Sequence, residues 1–228
     1  DHLGRCTPVN GDGICNGAVD NATGTAALIT LAQAYQKAGA PDRSVVFVAV
    51  TAEESGLLGS EYYAANPIFP LAQTVGGVNM DALNPSGPAK DIVVVGRGKS
   101  ELDTYLEKIA KAANVTIVDE PTPEKGFYYR SDHFSFAKRG VPFFNFGAGQ
   151  DLVEGGTDAG KKASEDYEKN RYHAPADEYA AIKNWDGMLA DLKLFYAAGR
   201  MLASTDAWPN WVKGDEFRAA RDKSRPTK

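Results

Sequence analysis

The sequence predicts an α/β protein, and three observations carry the prediction. Helical and strand signals alternate along the chain, without an internal repeat or a low-complexity segment. The strand signals are short apolar runs rich in β-branched residues and closed by turn residues, as buried strands are. Carboxylates stand at the ends of two such runs, Glu53-Glu54 after Val45 to Val50 and Asp81 after Val78-Asn79-Met80. Open α/β sheets bind their ligands at the carboxyl ends of strands.

Taken in order, Asp20 to Lys37 reads as a helix, with Ala26, Leu28, Ile29, Leu31, Ala32 and Tyr35 as its apolar face and Gly39 as its stop. Ser44 to Val50 is a strand. Ser55 to Ala65 is a short helix ended by Asn66-Pro67. Val75 to Met80 is a strand, and residues 84–88 are a loop. Ile92 to Val95 is a strand bounded by Gly96 and Gly98. Ser100 caps a helix to Ala113, with Leu102, Tyr105, Leu106 and Ile109 at helical spacing. Val115 to Val118 is a short strand, 121–129 a loop, 132–138 a short helix and 141–146 a buried strand. Residues 147–183 read as a long, polar, Gly-rich loop that contains His173, and loops of this length are functional or disordered. Asn184 caps the clearest helix, whose stripe of Trp185, Met188, Leu189, Leu192, Phe195, Tyr196 and Leu202 is core. One domain is expected over 1–205, followed by a polar tail over 206–228. Trp208 and Trp211 would dock the tail, and it would fray from Asp222 onward.

Composition narrows the function classes. Hydrophobic residues make up 43% and charged residues 24%, ordinary for a soluble globular protein with a core. A net charge of −5 without a basic block argues against a nucleic-acid groove. No apolar run approaches the roughly 18 residues of a membrane span. The chain begins at Asp1 with neither an initiator Met nor a signal sequence, so it reads as a processed form or a fragment. Cys6 and Cys15 flank a short loop. Either they close a small disulfide ring, which implies an oxidising compartment, or they are two half-buried thiols.

Two adjacent carboxylates at the mouth of a buried strand are costly unless a positive partner meets them. A metal ion is the natural partner, leaving one carboxylate free to act as a base. The other reading is an exposed acidic pair that opens the next helix, where the helix dipole favours Glu. Asp20 lies in a turn that opens a helix, and His173 lies in Arg171-Tyr172-His173-Ala174-Pro175-Ala176-Asp177. If Asp20, Glu53, Glu54, Asp81 and His173 converge, four carboxylates share one pocket and cannot all stay ionised without cations. Oxygen and imidazole donors suit zinc, and two close zincs sharing a carboxylate suit hydrolysis.

Five motifs follow one another: Asp20-Asn21-x-x-Gly24, Glu53-Glu54-x-Gly56-x-x-Gly59-Ser60, Asn79-x-Asp81, Ser131-Asp132-His133 and Tyr172-His173-x-Pro175-x-Asp177. In this order they resemble the zinc aminopeptidases of peptidase family M28, most closely bacterial members with a protease-associated domain upstream. The resemblance runs from Asp1 to about Leu202. It implies a mixed, mostly parallel sheet flanked by helices on both faces, whose leading strands would precede this chain. It implies that Asp20 bridges two zincs and that Glu53 is the general base on a zinc-bound water. Glu54 and His173 would complete one zinc site, Asp81 would be a ligand of the other, and Tyr172 would steady the tetrahedral oxyanion. The family's first ligand His would fall just before residue 1. Asp1 would then be the carboxylate that orients it, and His2 either a replacement ligand or a surface histidine. Two zincs are implied per complete chain, together with a peptide substrate whose free amine meets Glu53 and Asp81, and a secreted or periplasmic setting.

Some roles stay open on the residues alone. Arg130 and Asp132 either contact substrate or form a plain salt bridge. His133 lines the substrate pocket, braces the site or is a buried core histidine. Asp177 holds His173 or caps the following turn. The rival functions are an M28-type carboxypeptidase or dipeptidase, with Arg130 as the candidate clamp, and a non-catalytic M28-like binding domain. An M20-like enzyme is disfavoured, because the stretch from Glu54 to His173 reads as continuous α/β without a separate dimerisation domain. A glutaminyl cyclase-like, single-zinc enzyme is disfavoured by the intact Asp20 motif.

Overall fold

Chain order in the computed structural model, which describes residues 3–225, begins with a hairpin of β1 (Gly4–Val9) and β2 (Asp12–Cys15). It continues with α1 (Ala22–Ala38), α2 (Leu58–Ala65), β3 (Gly77–Asn79), β4 (Asp91–Val94), α3 (Leu102–Ala113) and β5 (Thr116–Asp119). It closes with α4 (His133–Ala137), β6 (Phe143–Ala148), α5 (Gly156–Asn170), α6 (Asp186–Ala203) and α7 (Arg218–Ser224). A sheet of order β3-β6-β4-β5 carries the structure. β3 and β6 pair in parallel, as do β4 and β5, whereas β4 and β6 run antiparallel. The expected mixed, mostly parallel sheet is therefore present.

Alternation along the strands distributes the core. On one face Phe144 and Phe146 of β6 join Ile92 and Val94 of β4 in a cluster completed by α1, α3 and α6. There Phe146 stacks on Phe195 with ring centroids 4.8 Å apart. On the other face Phe143 meets Phe136 of α4 at 4.7 Å. Helices thus cover both faces. The predicted starts of α1, α3 and α6 are correct to within two residues. The expected caps accept hydrogen bonds, Ser100 Oγ from Leu102 N and Asn184 Oδ1 from Asp186 N, and at α1 the structure adds Asn21 Oδ1, which accepts from Gly24 N.

Three expectations need correction. Residues 44–50 form no ladder among the described residues, and Val45, Val46 and Phe47 stay 36%, 47% and 37% exposed. Apolar content measures a drive toward burial, whereas a strand also needs a neighbour for its backbone groups. Here Phe47 packs edge-on to Tyr35 of α1 instead. Residues 147–183 are not one loop, since they contain the 15-residue α5. That helix has no apolar stripe for a period to reveal. Gly160 is its buried residue, and a Cβ there would sit 2.0 Å from the Gln150 carbonyl oxygen. The chain end does not fray from Asp222, because α7 continues to Ser224 and buries Arg221. Arg221 donates to the Thr74 and Val75 carbonyls at 2.8 and 2.7 Å. Such bonds from a charged donor are the stronger kind. Cys6 and Cys15 are joined by a disulfide across the hairpin. No helix among the described residues is long and apolar enough to cross a membrane.

Candidate metal centre

Asp20 ends the tight turn that precedes α1 and is 5% exposed. Its position is fixed from beneath by Asp177, a carboxylate that is itself 3% exposed. Asp177 accepts the Val19 amide at 3.0 and 3.1 Å, the Asp20 amide at 3.0 Å and the Tyr167 hydroxyl at 3.4 Å. A buried carboxylate needs such donors, and here they belong to the turn that presents Asp20. Neither role considered for Asp177, holding His173 or capping the next turn, describes these bonds. Asn21 ties the same turn to the end of β3: its side chain donates to Met80 O at 3.1 Å and accepts from Ala82 N at 3.1 Å.

Glu53 and Glu54 occupy a 3-10 turn, Glu53–Ser55, rather than the start of an α-helix. Ala52 and Leu57 on either side have φ of 58° and 60°. The turn closes on its own entry, because Gly59 N donates to Thr51 O at 2.9 Å. A Cβ at Gly59 would lie 2.3 Å from that oxygen, which explains the small residue in the motif. The fold so returns Glu54 toward Asp20. His173, at φ 55°, arrives after α5. Its Nε2 lies 3.4 Å from Asp20 Oδ2 and 3.9 Å from Glu54 Oε1. One donor atom from each of Asp20, Glu54 and His173 lies within 4.8 Å of the others.

The electrostatics match this crowding. Burial, the Glu54 hydrogen bond and the charges of Glu54, Asp81 and Asp132 push the Glu53 carboxyl up to about 8. A carboxyl raised by burial and by neighbouring negative charge is one that a nearby cation relieves. Two oxygens and an imidazole nitrogen at these separations form a donor set that suits zinc. The Tyr172 ring lies 3.6 Å from the His173 ring. Burial, then Asp20, Glu54 and Asp81, push its hydroxyl up to about 12, so it remains a hydrogen-bond donor at neutral pH.

Asp81 is exposed, and its charge is among those that raise the Glu53 carboxyl. Its Oδ2 accepts from Ser131 Oγ at 2.9 Å, and Ser131 Oγ accepts in turn from Asn79 Nδ2 at 2.8 Å. Asp132 is hydrogen-bonded to Ser60, with its carboxyl raised chiefly by burial and Oδ1 lacking a partner among the described residues. Arg130 sits over the Phe127 ring at 5.6 Å. His133 is 1% exposed, edge-on to Tyr128 at 4.7 Å and 3.5 Å from Asn145 Nδ2. Burial lowers its pKa to about 4, so it is a neutral core histidine. The roles considered for Asp1 and His2 fall outside the described residues.

Sequence reasoning did not single out Ser131, Asn79, Asn21 or Tyr167. Ser131, Asn79 and Asn21 lie inside motifs whose charged members drew attention. Tyr167 lies on the helix that lacked a periodic signal.

The model of peptidase family M28 matches residues 1–193. Leucine aminopeptidase 2 of Arthroderma otae is 28% identical over 92% of this chain and 44% of its own length. Leucine aminopeptidase 2 of Trichophyton rubrum is 28% identical over 86% of this chain and 41% of its own. Leupeptin-inactivating enzyme 1 of Streptomyces exfoliatus is 29% identical over 66% and 34%. The chain thus spans less than half the length of these relatives. Among solved structures, the aminopeptidase from Aneurinibacillus sp. strain AM-1 is similar in fold. It has a TM-score of 0.60 and 24% identity, over 85% of this chain and 42% of that one.

Proposed function

The chain belongs to peptidase family M28, and from that premise we propose that it is the catalytic part of a co-catalytic di-zinc aminopeptidase that removes single N-terminal residues from peptides. The observation that carries this reading is the convergence of Asp20, Glu54 and His173 next to Glu53. Asp20, Glu54 and His173 would hold one zinc, with Asp20 shared and Asp81 serving the second. Bound there, zinc supplies Lewis acidity toward the scissile carbonyl and a lowered pKa for water.

The chain's own residues do the rest. Glu53 takes the proton of the attacking water and delivers it to the leaving amine, a shuttle that a carboxylate placed beside the donor set can perform. Tyr172 donates its hydroxyl hydrogen bond to the developing oxyanion, where charge grows in the transition state. The negative charges of Glu53 and Asp81 meet the substrate's free ammonium and favour a free N-terminus over a blocked one. The names of the fungal relatives, both leucine aminopeptidases, support the aminopeptidase reading over a carboxypeptidase. The Cys6–Cys15 disulfide supports an extracellular or periplasmic setting.

The test is hydrolysis of leucine p-nitroanilide and its N-blocked analogue by the full-length protein, with chelator and zinc re-addition. Cleavage of the free-amine substrate alone, lost with chelator and regained with zinc, is expected. Cleavage of the blocked substrate at a similar rate, or activity indifferent to chelator, would refute the proposal.

A further inference from the structure

We propose that residues 208–225, which follow the family match at 1–193, are a strap that positions the 127–133 loop and, through it, the Ser131 hydroxyl on Asp81. This rests on the reading of Asp81 as part of the metal centre. The strap grips both partners of the Ser131–Asp81 contact. On the loop side, Phe217 is 6% exposed and stacks on Tyr128 with ring centroids 6.1 Å apart and planes 22° apart. Tyr128 in turn meets His133 edge-on at 4.7 Å. Glu216 Oε1 accepts from the Tyr129 hydroxyl at 2.9 Å, two residues before Ser131. Lys99 locks this corner. Its ammonium lies 5.1 Å from the centres of both the Tyr128 and Phe217 rings and 2.9 Å from Asp215 Oδ2.

On the strand side, Arg221 donates to the carbonyls of Thr74 and Val75, at the entry to β3. β3 ends at Asn79, which donates to Ser131. Trp211, 1% exposed, anchors the middle of the strap through its indole N–H to Gly140 O at 2.8 Å. Asp81 is exposed, and among the described residues its carboxylate accepts from the Ser131 hydroxyl and not from backbone amides, as Asp177 does from the Asp20 turn. Its aim therefore depends on a hydroxyl carried by a loop that is held by aromatic packing against the strap. Partners that orient a ligand set metal affinity even though they do not touch the metal. Phe217 and Glu216 are positioning residues in this sense.

The experiment is zinc affinity, measured by chelator competition on the full-length protein, in a cycle of Phe217→Ala and Ser131→Ala. Phe217→Ala is expected to weaken the weaker zinc step by about tenfold, and Phe217→Leu to restore most of it. In the Ser131→Ala background, Phe217→Ala should change affinity by less than about twofold, the signature of one shared contact. Effects that simply multiply, or an unchanged affinity in folded Phe217→Ala, overturn the proposal. Should Phe217→Ala not fold, Glu216→Gln takes its place in the cycle under the same criteria. Amide exchange gives a readout independent of metal: protection over 127–134 should fall in the strap variant while α1 is unchanged. If the wild type binds no zinc, the metal reading fails, and unchanged protection over 127–134 then overturns the strap by itself.

Discussion

The two sides of the candidate centre are held by different means. On the Asp20–His173 side, a buried carboxylate, Asp177, receives backbone amides from the turn it positions. On the Asp81 side, an exposed carboxylate receives one serine hydroxyl from a loop. A buried charge that is left unpaired costs far more than an exposed one. The buried side is thus fixed by groups that cannot rotate away, and the exposed side by groups that can. The first side should be rigid before any cation arrives, and the second should respond to changes some distance from it.

The largest expected effect is on the rigid side. Asp20→Ala should abolish the rise in Tm on adding zinc, read by thermal melts with and without the metal. A zinc-induced shift equal to that of the wild type would remove Asp20 from the site. Asp177→Ala comes next. It strands the buried amides of Val19 and Asp20, at about 1–3 kcal/mol for each unsatisfied group. Urea unfolding should show a loss of about 2–6 kcal/mol for the two groups together, with weaker zinc binding. A large stability loss with wild-type zinc affinity would show that Asp177 supports the fold and not the site.

On the exposed side the order reverses, with little stability lost and more affinity. Ser131→Ala should leave stability within about 1 kcal/mol while weakening one zinc step about tenfold. Equal effects of Ser131→Ala and Asp177→Ala on stability would erase the distinction between the sides. The smallest effect concerns Asp191 of α6, which accepts the Asn84 amide at 3.1 Å just beyond Asp81. Burial pushes its carboxyl up to about 6 from 3.8. A raised folded-state value means that its contribution to stability is present below about 3.8 and is lost as pH rises through about 6. Asp191→Asn keeps an acceptor for Asn84 and should flatten that part of the stability–pH curve. An unchanged curve would show that Asp191 titrates normally.

The sequence disclosed the parts of this picture that leave a local chemical mark. Ser100 and Asn184 announced their helices because a side-chain acceptor at a helix start is a local device. Asp20, Glu54 and His173 were legible as a group through the ordered motifs that resemble the family, since Asp20 lies in a turn and His173 in a polar stretch with no local signal of their meeting. What stayed hidden depends on long-range contact. α5 carries no long apolar stripe, and it meets the rest of the molecule through single positions such as buried Gly160 and partly buried Tyr167. Residues 44–50 have the composition of a strand without a neighbour among the described residues. Asp177 read as a partner for nearby His173 or a cap for the next turn, whereas the backbone amides it accepts lie more than 150 residues earlier in the chain. Ser131 was overshadowed by the charged residues that follow it in its motif.

The measurement closest to the central claim is single-turnover hydrolysis of leucine p-nitroanilide by Glu53→Gln, with zinc content determined on the same sample. Gln fits where Glu53 stands but cannot accept the proton of water. The account predicts that kcat falls by at least about a hundredfold while zinc per chain equals that of the wild type. Retained turnover with wild-type zinc content would contradict Glu53 as the base. Loss of zinc together with turnover would make it a ligand instead.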